Sequence, residues 1–110
     1  MPAAPADFSR IAIVNRGEPA MRLLNAVREW NRERGERLCA IALYTDPDRD
    51  ELYVREADDR FCLGPAMFLD EADPDEAGRP RRKSRYLDYP RLRQALLETG
   101  ADAAWVGWGF

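Results

Sequence analysis

The sequence contains no histidine among its 110 residues. This absence excludes Ser-His-Asp and Cys-His nucleophilic sites, histidine-ligated zinc and acid–base catalysis by imidazole from this chain. Only two cysteines are present, Cys39 and Cys62, and both stand in apolar runs. That setting favours buried free thiols, and the spacing of the pair fits neither a C-x-x-C redox motif nor a zinc knuckle. A disulfide between them stays open.

Long apolar runs and an excess of basic charge are also missing. No stretch approaches the roughly 18 apolar residues that span a membrane. The 17 basic and 20 acidic residues leave a net charge of −3. This balance disfavours nucleic acid and anionic membranes as partners, because clustered Lys and Arg hold both. Residues 1–8 are predicted to be a disordered leader without a signal pattern, so we expect a cytoplasmic protein.

Short apolar runs separated by helical patterns dominate the rest of the chain. Two of these runs, residues 11–14 and 38–44, are continuous rather than alternating, and residues 60–63 and 103–106 are read as two further short strands. Continuous runs are typical of strands buried on both faces of a parallel sheet. Apolar residues recur at helical spacing from Ala20 to Val27 and again after Pro90, and Gly35 and Gly100 end these two helices. The order predicts an α/β fold, a parallel sheet flanked by helices in one small domain.

A charged stretch interrupts this pattern at residues 70–85. It holds five acids followed by five bases, with Pro and Gly between them and almost no apolar residues. This composition predicts a charged loop insertion or a disordered excursion rather than core. Its basic half could bind an anion or a partner, or the two halves could neutralise each other in solvent.

The turn from Asn15 to Glu18 follows the first strand and opens the first helix. Phosphates often bind at this place in doubly wound folds, on free N–H groups at the helix start. The dinucleotide fingerprint needs three spaced glycines, however, and only Gly17 is present. A tight structural turn is therefore the simpler interpretation.

Three alternating acids follow the second strand, Asp46, Asp48 and Asp50. Calcium loops begin this way but need Gly at the sixth position and Glu at the twelfth, where this chain has Glu51 and Ala57. We therefore predict no metal site and interpret these acids as helix caps.

The last six residues, Trp105 to Phe110, place aromatic side chains around a Gly-x-Gly segment. Because glycine has no side chain, such a segment lets a ligand or another part of the protein approach the backbone closely, and it is typical of a ligand loop or a domain junction. We expect the chain to be a piece cut from a larger protein.

Six segments, taken together and in order, resemble biotin carboxylases. The first, residues 13–22, is similar to their I-A-N-R-G-E-I-A-x-R opening, and the last, residues 107–110, is similar to G-Y-G-F. The others are residues 44–50, 57–65, 86–90 and 100–102.

The resemblance implies a Rossmann-like (pre-ATP-grasp) domain over residues 9–110 that precedes an ATP-grasp region absent from this chain. It implies a parent ligase that uses ATP, Mg²⁺ and bicarbonate to carboxylate biotin, for acetyl-CoA, propionyl-CoA or pyruvate carboxylation. The implied partners are its own ATP-grasp region, biotin carboxyl carrier and carboxyltransferase domains, and a second copy in a homodimer. No catalytic residue is implied within this chain.

Residue by residue, the resemblance assigns a structural family turn to Asn15, Arg16, Gly17 and Glu18. It assigns the edge of the biotin site to Trp108 and Phe110, where Trp108 replaces the family's tyrosine, and the dimer interface to Arg22, Asn25 and Glu29, where Asn25 replaces an arginine. Trp105 and Val106 stand where the family has His-Pro. These departures leave open a catalytically inactive scaffold or regulatory subunit. A further alternative is the N-terminal domain of another ATP-grasp ligase, which the turn from Asn15 to Glu18 argues against.

Overall fold

The structure, a computed structural model, describes residues 7–109. These residues form six strands and three α-helices, with one-turn 3₁₀ helices at residues 46–48 and 85–87. Their order is β1 Arg10–Ile13, α1 Gly17–Arg34, β2 Cys39–Tyr44, α2 Leu52–Glu56, β3 Asp59–Cys62, β4 Met67–Pro74, β5 Pro80–Ser84, α3 Tyr89–Thr99 and β6 Ala103–Trp105.

Four strands form one parallel sheet in the order β3-β2-β1-β6. Successive side chains of a strand point to opposite faces of a sheet, so the apolar runs are divided between two cores. Ile11 and Ile13 pack towards α1 and α2, whereas Ala12 and Val14 pack towards α3. Both faces are covered, which is why these runs are continuous, and the predicted α/β fold is confirmed.

The two long helices end at the two predicted glycines and begin within two residues of the predicted starts. α1 buries Ala20, Leu24 and Val27 along one side and ends at Gly35, whose φ of +63° lies in the left-handed region. The Asp88 side chain accepts a hydrogen bond from the Arg91 N–H at the start of α3. Glycine after the last turn and an acidic N-cap are local signals, so they can be read without tertiary structure.

The charged stretch at residues 70–85 is not the predicted loop. β4 and β5 form an antiparallel hairpin in which the acidic strand lies opposite the basic one. Lys83 Nζ lies 2.8 Å from carboxylates of both Asp70 and Asp73. Opposite charges that face each other across two strands favour this pairing, so the scarcity of apolar residues at 70–85 led to a wrong prediction.

The predicted leader, residues 1–8, is described only at its end, because residues 1–6 lie outside the described residues. Phe8 packs against the core on the α1 side of the sheet, contrary to the prediction for this residue. The Asp102 carboxylate accepts hydrogen bonds from the backbone N–H groups of Ser9 and Arg10. The ordered chain therefore begins before the predicted boundary at residue 9.

Candidate functional site

The loops that follow the four parallel strands meet at one end of the sheet, here called the carboxyl edge. It consists of residues 14–18, 45–48, 63–66 and 106–109, each directly after a strand. Ligand sites of open α/β sheets lie at this end of the strands. The predicted family turn and the aromatic C-terminal segment are both found here.

Asn15 joins the first and the last of these loops. Its side-chain Nδ2 donates to the carbonyl oxygens of Val106 (2.9 Å) and Trp108 (3.0 Å), and its Oδ1 accepts from the Arg16 N–H at 2.8 Å. The side chain is only 4% exposed. Since both amide hydrogens are in use, Asn15 holds the backbone of residues 106–108 in place and offers no free donor to a ligand.

Arg16 forms a bidentate ion pair with Asp48 across the carboxyl edge. Arg16 Nε lies 2.6 Å from Asp48 Oδ2, and Nη2 lies 2.7 Å from Oδ1. Asp48 is 2% exposed, and the Tyr53 hydroxyl donates to its Oδ2 at 3.0 Å. The Arg16 hydrogen bond holds the pKa of Asp48 below its ordinary value and raises the pKa of Arg16. Asp48 is therefore a fully ionised, fully bonded acid at neutral pH.

Two buried tyrosines extend this network into the sheet. The Tyr86 hydroxyl donates to the Leu43 carbonyl oxygen at 2.8 Å and lies 3.3 Å from the Tyr53 hydroxyl. Burial raises the pKa of Tyr53 and raises the pKa of Tyr86 to about 12. Both phenols are neutral at physiological pH, so they hold β2, α2 and the turn at residues 85–87 together and do not act as bases.

The remaining residues of the predicted turn begin α1. Gly17 has a φ of +60°, in the left-handed region that side chains disfavour. The Glu18 carboxylate is exposed and lies 2.6 Å from the Arg22 guanidinium one turn further along the helix. An acid in the first helical turn is favourable because the positive end of the helix dipole lies there.

The C-terminal segment carries a pair of tryptophans. The rings of Trp105 and Trp108 meet edge to face, with centroids 6.2 Å apart. Gly107 has a φ of +69°, and a Cβ at this position would lie 2.7 Å from the Trp105 ring. Trp108 is 60% exposed beside the Asn15 contact, and Phe110, the other predicted biotin-edge residue, lies outside the described residues.

The predicted dimer residues lie away from the carboxyl edge. Arg22, Asn25 and Glu29 are all exposed on one side of α1. Their spacing of three and then four residues places them on one helical stripe. The structure thus groups these three side chains on an exposed surface, where Arg22 is paired with Glu18 of the same helix.

Sequence reasoning missed the Asp48–Tyr53–Tyr86 network. It interpreted Asp46, Asp48 and Asp50 as helix caps, but the N-cap of α2 is Glu51, which makes no side-chain capping bond. The signal lay in two segments of the family resemblance, one with Arg16 and the other with Asp48. Their pairing spans 32 residues of sequence, so no local pattern reveals it.

Two features of residues 7–109 concern the metal and cofactor groups that the resemblance implies. No group of three His, Cys, Asp or Glu side chains there could hold a metal ion. No buried side-chain nitrogen or oxygen in this part of the chain lacks a partner.

The two cysteines are free thiols, and both are partly rather than fully buried. Burial raises the pKa of each thiol, which keeps it protonated and weakly reactive. No helix in the described part of the chain is long and apolar enough to cross a bilayer.

Comparison with known proteins gives consistent matches over nearly the whole chain. The family model of the biotin carboxylase N-terminal domain matches residues 7–110. The chain is 36% identical over 103 residues to a biotin carboxylase of Haemophilus influenzae, covering 94% of this chain and 18% of that protein. It is 32% identical over 107 residues to the biotin-dependent acyl-coenzyme A carboxylase alpha3 subunit of Mycobacterium leprae, covering 97% of this chain and 14% of that protein.

Solved structures agree with these sequence matches. The crystal structure of a biotin carboxylase–βγ-ATP complex from Campylobacter jejuni superposes with a TM-score of 0.67 at 31% identity. The match covers 94% of this chain and 19% of that one. The chain thus spans less than a fifth of the length of these relatives.

Proposed function

Because the chain belongs to the biotin carboxylase N-terminal domain family, we propose that it is the N-terminal domain of a biotin carboxylase subunit, here called the parent protein. The parent uses ATP, Mg²⁺ and bicarbonate to carboxylate biotin, as one step of acetyl-CoA, propionyl-CoA or pyruvate carboxylation. The family match over residues 7–110 is the observation that carries this proposal. The 110-residue chain is a non-catalytic part of that enzyme.

Within the parent, the domain's role is to shape one edge of the biotin site. The contacts of Asn15 with residues 106–108 support this role, because they fix the backbone that carries Trp108. An exposed indole offers an apolar face and one N–H donor. Both can contact a ring system that has polar atoms at its edge, as biotin does. We propose that Trp108 and Phe110 border biotin in the parent.

The test is an assay of ADP release by the parent, including its ATP-grasp region. We expect release that requires both biotin and bicarbonate, and none from the 110-residue chain alone. Trp108→Ala should raise the KM for biotin several-fold with less effect on the KM for ATP, and Trp108→Tyr should restore it. Trp30→Phe, a change of the tryptophan on α1, is the matched control and should leave both constants unchanged.

A catalytically inactive scaffold is the second candidate, and the Trp105–Trp108 pair favours it. These two large rings stand where the family resemblance places a histidine and a tyrosine. A parent that binds no biotin and releases no ADP above background would support the scaffold and contradict the enzymatic proposal.

We also propose that the exposed stripe of Arg22, Asn25 and Glu29 forms a homodimer interface in the parent. Two of the three side chains carry opposite charges, so in a two-fold arrangement Arg22 of one copy can exchange its contact with Glu18 for one with Glu29 of the other copy. Light scattering after size-exclusion chromatography should show a dimer, which Arg22→Glu converts to a monomer. Arg93→Glu on α3 is the control for a charge reversal elsewhere, and a wild-type monomer would contradict the interface.

The biotin carboxyl carrier and carboxyltransferase domains are the proposed partners of the parent, and the cytoplasm is its proposed location. Two unpaired thiols, Cys39 and Cys62, support a reducing compartment. Cell fractionation of the parent, together with its co-purification with a biotinylated carrier, tests both statements.

A further inference from the structure

The hairpin of β4 and β5 has two faces that differ in the chemistry of their side chains. Neighbouring side chains alternate across a strand, and directly opposite residues of two strands share a face. One face, here called the paired face, carries Phe68, Asp70, Arg81 and Lys83. The other, here called the open face, carries Met67, Leu69, Arg82 and Ser84.

The paired face satisfies its own charges. Lys83 contacts the carboxylates of Asp70 and Asp73, and Arg81 Nε lies 3.6 Å from Asp73. The guanidinium of Arg85 lies over the Phe68 ring, 5.3 Å from its centroid. Since each of these cations already has a partner, this face offers little to another molecule.

The open face has the opposite character. Leu69 is 62% exposed, and Met67 beside it is exposed as well. Arg82 is exposed and takes part in none of the ion pairs formed among residues 7–109. An exposed apolar pair next to an unpaired cation is the composition of an interaction surface.

Two shallow grooves join the open face to the carboxyl edge of the sheet. The first has a volume of about 300 Å³ and is lined by residues 65–69 and Arg82. The second has a volume of about 330 Å³ and shares Ala66 and Met67 with the first. Its other lining residues are Arg16, Thr45, Pro47, Ser84 and Tyr86. We call the two grooves together the docking strip.

The only charged side chains among the lining residues of the docking strip are two arginines, one in each groove. Arg82 has no acid partner, and Arg16 remains 56% exposed although it is paired with Asp48. The Arg16–Asp48 pair uses Nε and Nη2, which leaves the two donors of Nη1 for a further acceptor. The two grooves therefore share an apolar centre, Ala66 and Met67, and each of them is lined by one arginine.

We propose that the docking strip binds an extended segment of the parent protein beyond residue 110, with carboxylates on either side of apolar side chains. The inference rests on the proposed function, because it assumes a longer parent. Apolar side chains of this segment cover Met67 and Leu69, and its carboxylates pair with Arg16 and Arg82. Charge complementarity of this kind sets the register of a docked segment.

The position of the strip supports an occupant from the same polypeptide. Asn15 fixes residues 106–108 at the carboxyl edge, and the neighbouring residue Arg16 lines the strip. A segment tethered so close by has a high effective concentration, so modest contacts are enough to keep it bound. The relatives are more than five times longer than this chain, which leaves ample sequence to supply such a segment.

Hydrogen exchange measured by mass spectrometry on the parent and on the 110-residue chain tests the proposal. We expect amides in residues 66–70 and 81–85 to exchange at least tenfold more slowly in the parent. The double variant Leu69→Ser/Arg82→Glu should return them to the rate of the short chain. Leu97→Ser/Arg93→Glu, which changes an equally exposed leucine and an arginine on α3, is the matched control and should leave the protection intact.

Equal exchange of these peptides in the parent and in the short chain would overturn the docking proposal, whatever the ADP assay shows. Protection that disappears on dilution of the parent would also overturn it, since the occupant would then be a second copy. Protection that survives dilution in a parent without ADP release would support docking and contradict only the enzymatic function.

Discussion

Asp48 is the single residue on which the carboxyl edge depends most. Its carboxylate is removed from water and accepts hydrogen bonds from Arg16 and Tyr53. Breaking a buried pair is costly because the remaining groups keep their desolvation without the bond that offset it.

Asp48→Asn should therefore lower the free energy of unfolding of the 110-residue chain by roughly 2–4 kcal/mol. The neutral amide cannot accept the bidentate arginine as a carboxylate does. Asp46→Asn, two residues earlier on the same loop and half exposed, should cost less than about 1 kcal/mol. Urea denaturation measures both, and equal effects of the two variants would contradict the special role of Asp48.

The contribution of the Asp48 carboxylate to the free energy of unfolding should also depend on pH. Arg16 lowers the pKa of Asp48 in the folded protein, so below about pH 4 the unfolded state binds a proton that the folded state still refuses. The contribution of Asp48 is thus complete above pH 4 and is lost as the pH falls through its lower folded pKa. Between pH 5 and pH 2.5, wild type should lose more stability than Asp48→Asn, and parallel urea midpoints would argue against this.

Residue chemistry alone revealed the turn at residues 15–18 but not the partners of its arginine. Gly17 and the start of a helix can be recognised from the residues next to them in the sequence. The Arg16–Asp48 ion pair cannot be recognised in this way, because it depends on which loops the sheet brings together.

At the scale of elements, the Trp105 side chain at the end of β6 restricts which residue can follow at position 107. The Trp105 ring occupies the space in which a side chain at residue 107 would lie, and Asn15 holds the following carbonyl groups. The segment therefore combines a left-handed backbone with a steric limit at a single position.

Gly107→Ala and Gly109→Ala separate the effect of the left-handed backbone from the effect of the steric limit. Both positions have positive φ, but a Cβ at Gly109 meets nothing within 4 Å. Gly109→Ala should cost about 1 kcal/mol of stability from backbone strain alone. Gly107→Ala should cost at least about 1 kcal/mol more because of the overlap with Trp105. Thermal unfolding compares them, and Trp105→Ala should remove most of the difference in a double-mutant cycle, since the contact that then remains is the 3.1 Å approach to Asn15 Nδ2.

The same scale explains the error over residues 70–85. Pattern reasoning finds a strand by its apolar residues, and this hairpin has few. Its strands pair through charges that face each other across the sheet, so the pairing becomes visible only when both strands are seen together.

At the scale of the whole molecule, stability resides in the sheet and its three helices. The two buried clusters contain no residue between 64 and 85. The hairpin is a peripheral addition whose ion pairs are half-exposed to partly buried, and ion pairs near the surface contribute little to stability.

Replacing residues 67–83 by a short Gly-Ser linker should change the free energy of unfolding by less than about 1 kcal/mol, since no core contact is lost. Leu63→Ala, a fully buried change at the base of the hairpin, is the contrasting control and should cost about 2–5 kcal/mol. Chemical denaturation measures both variants. A loss above 2 kcal/mol in the hairpin deletion would show that the hairpin supports the core.

The sequence by itself determined the α/β class, the bounds of α1 and α3 within two residues, and the family. Each of these follows from local periodicity, helix-ending glycines or ordered motifs, which need no knowledge of contacts. Only the tertiary structure decided that Asp48 holds Arg16, that Asn15 holds residues 106–108, and that the charged stretch folds as a hairpin with one open face. These features join residues distant in sequence, and their energies come from burial and facing charges that exist only after the chain has folded.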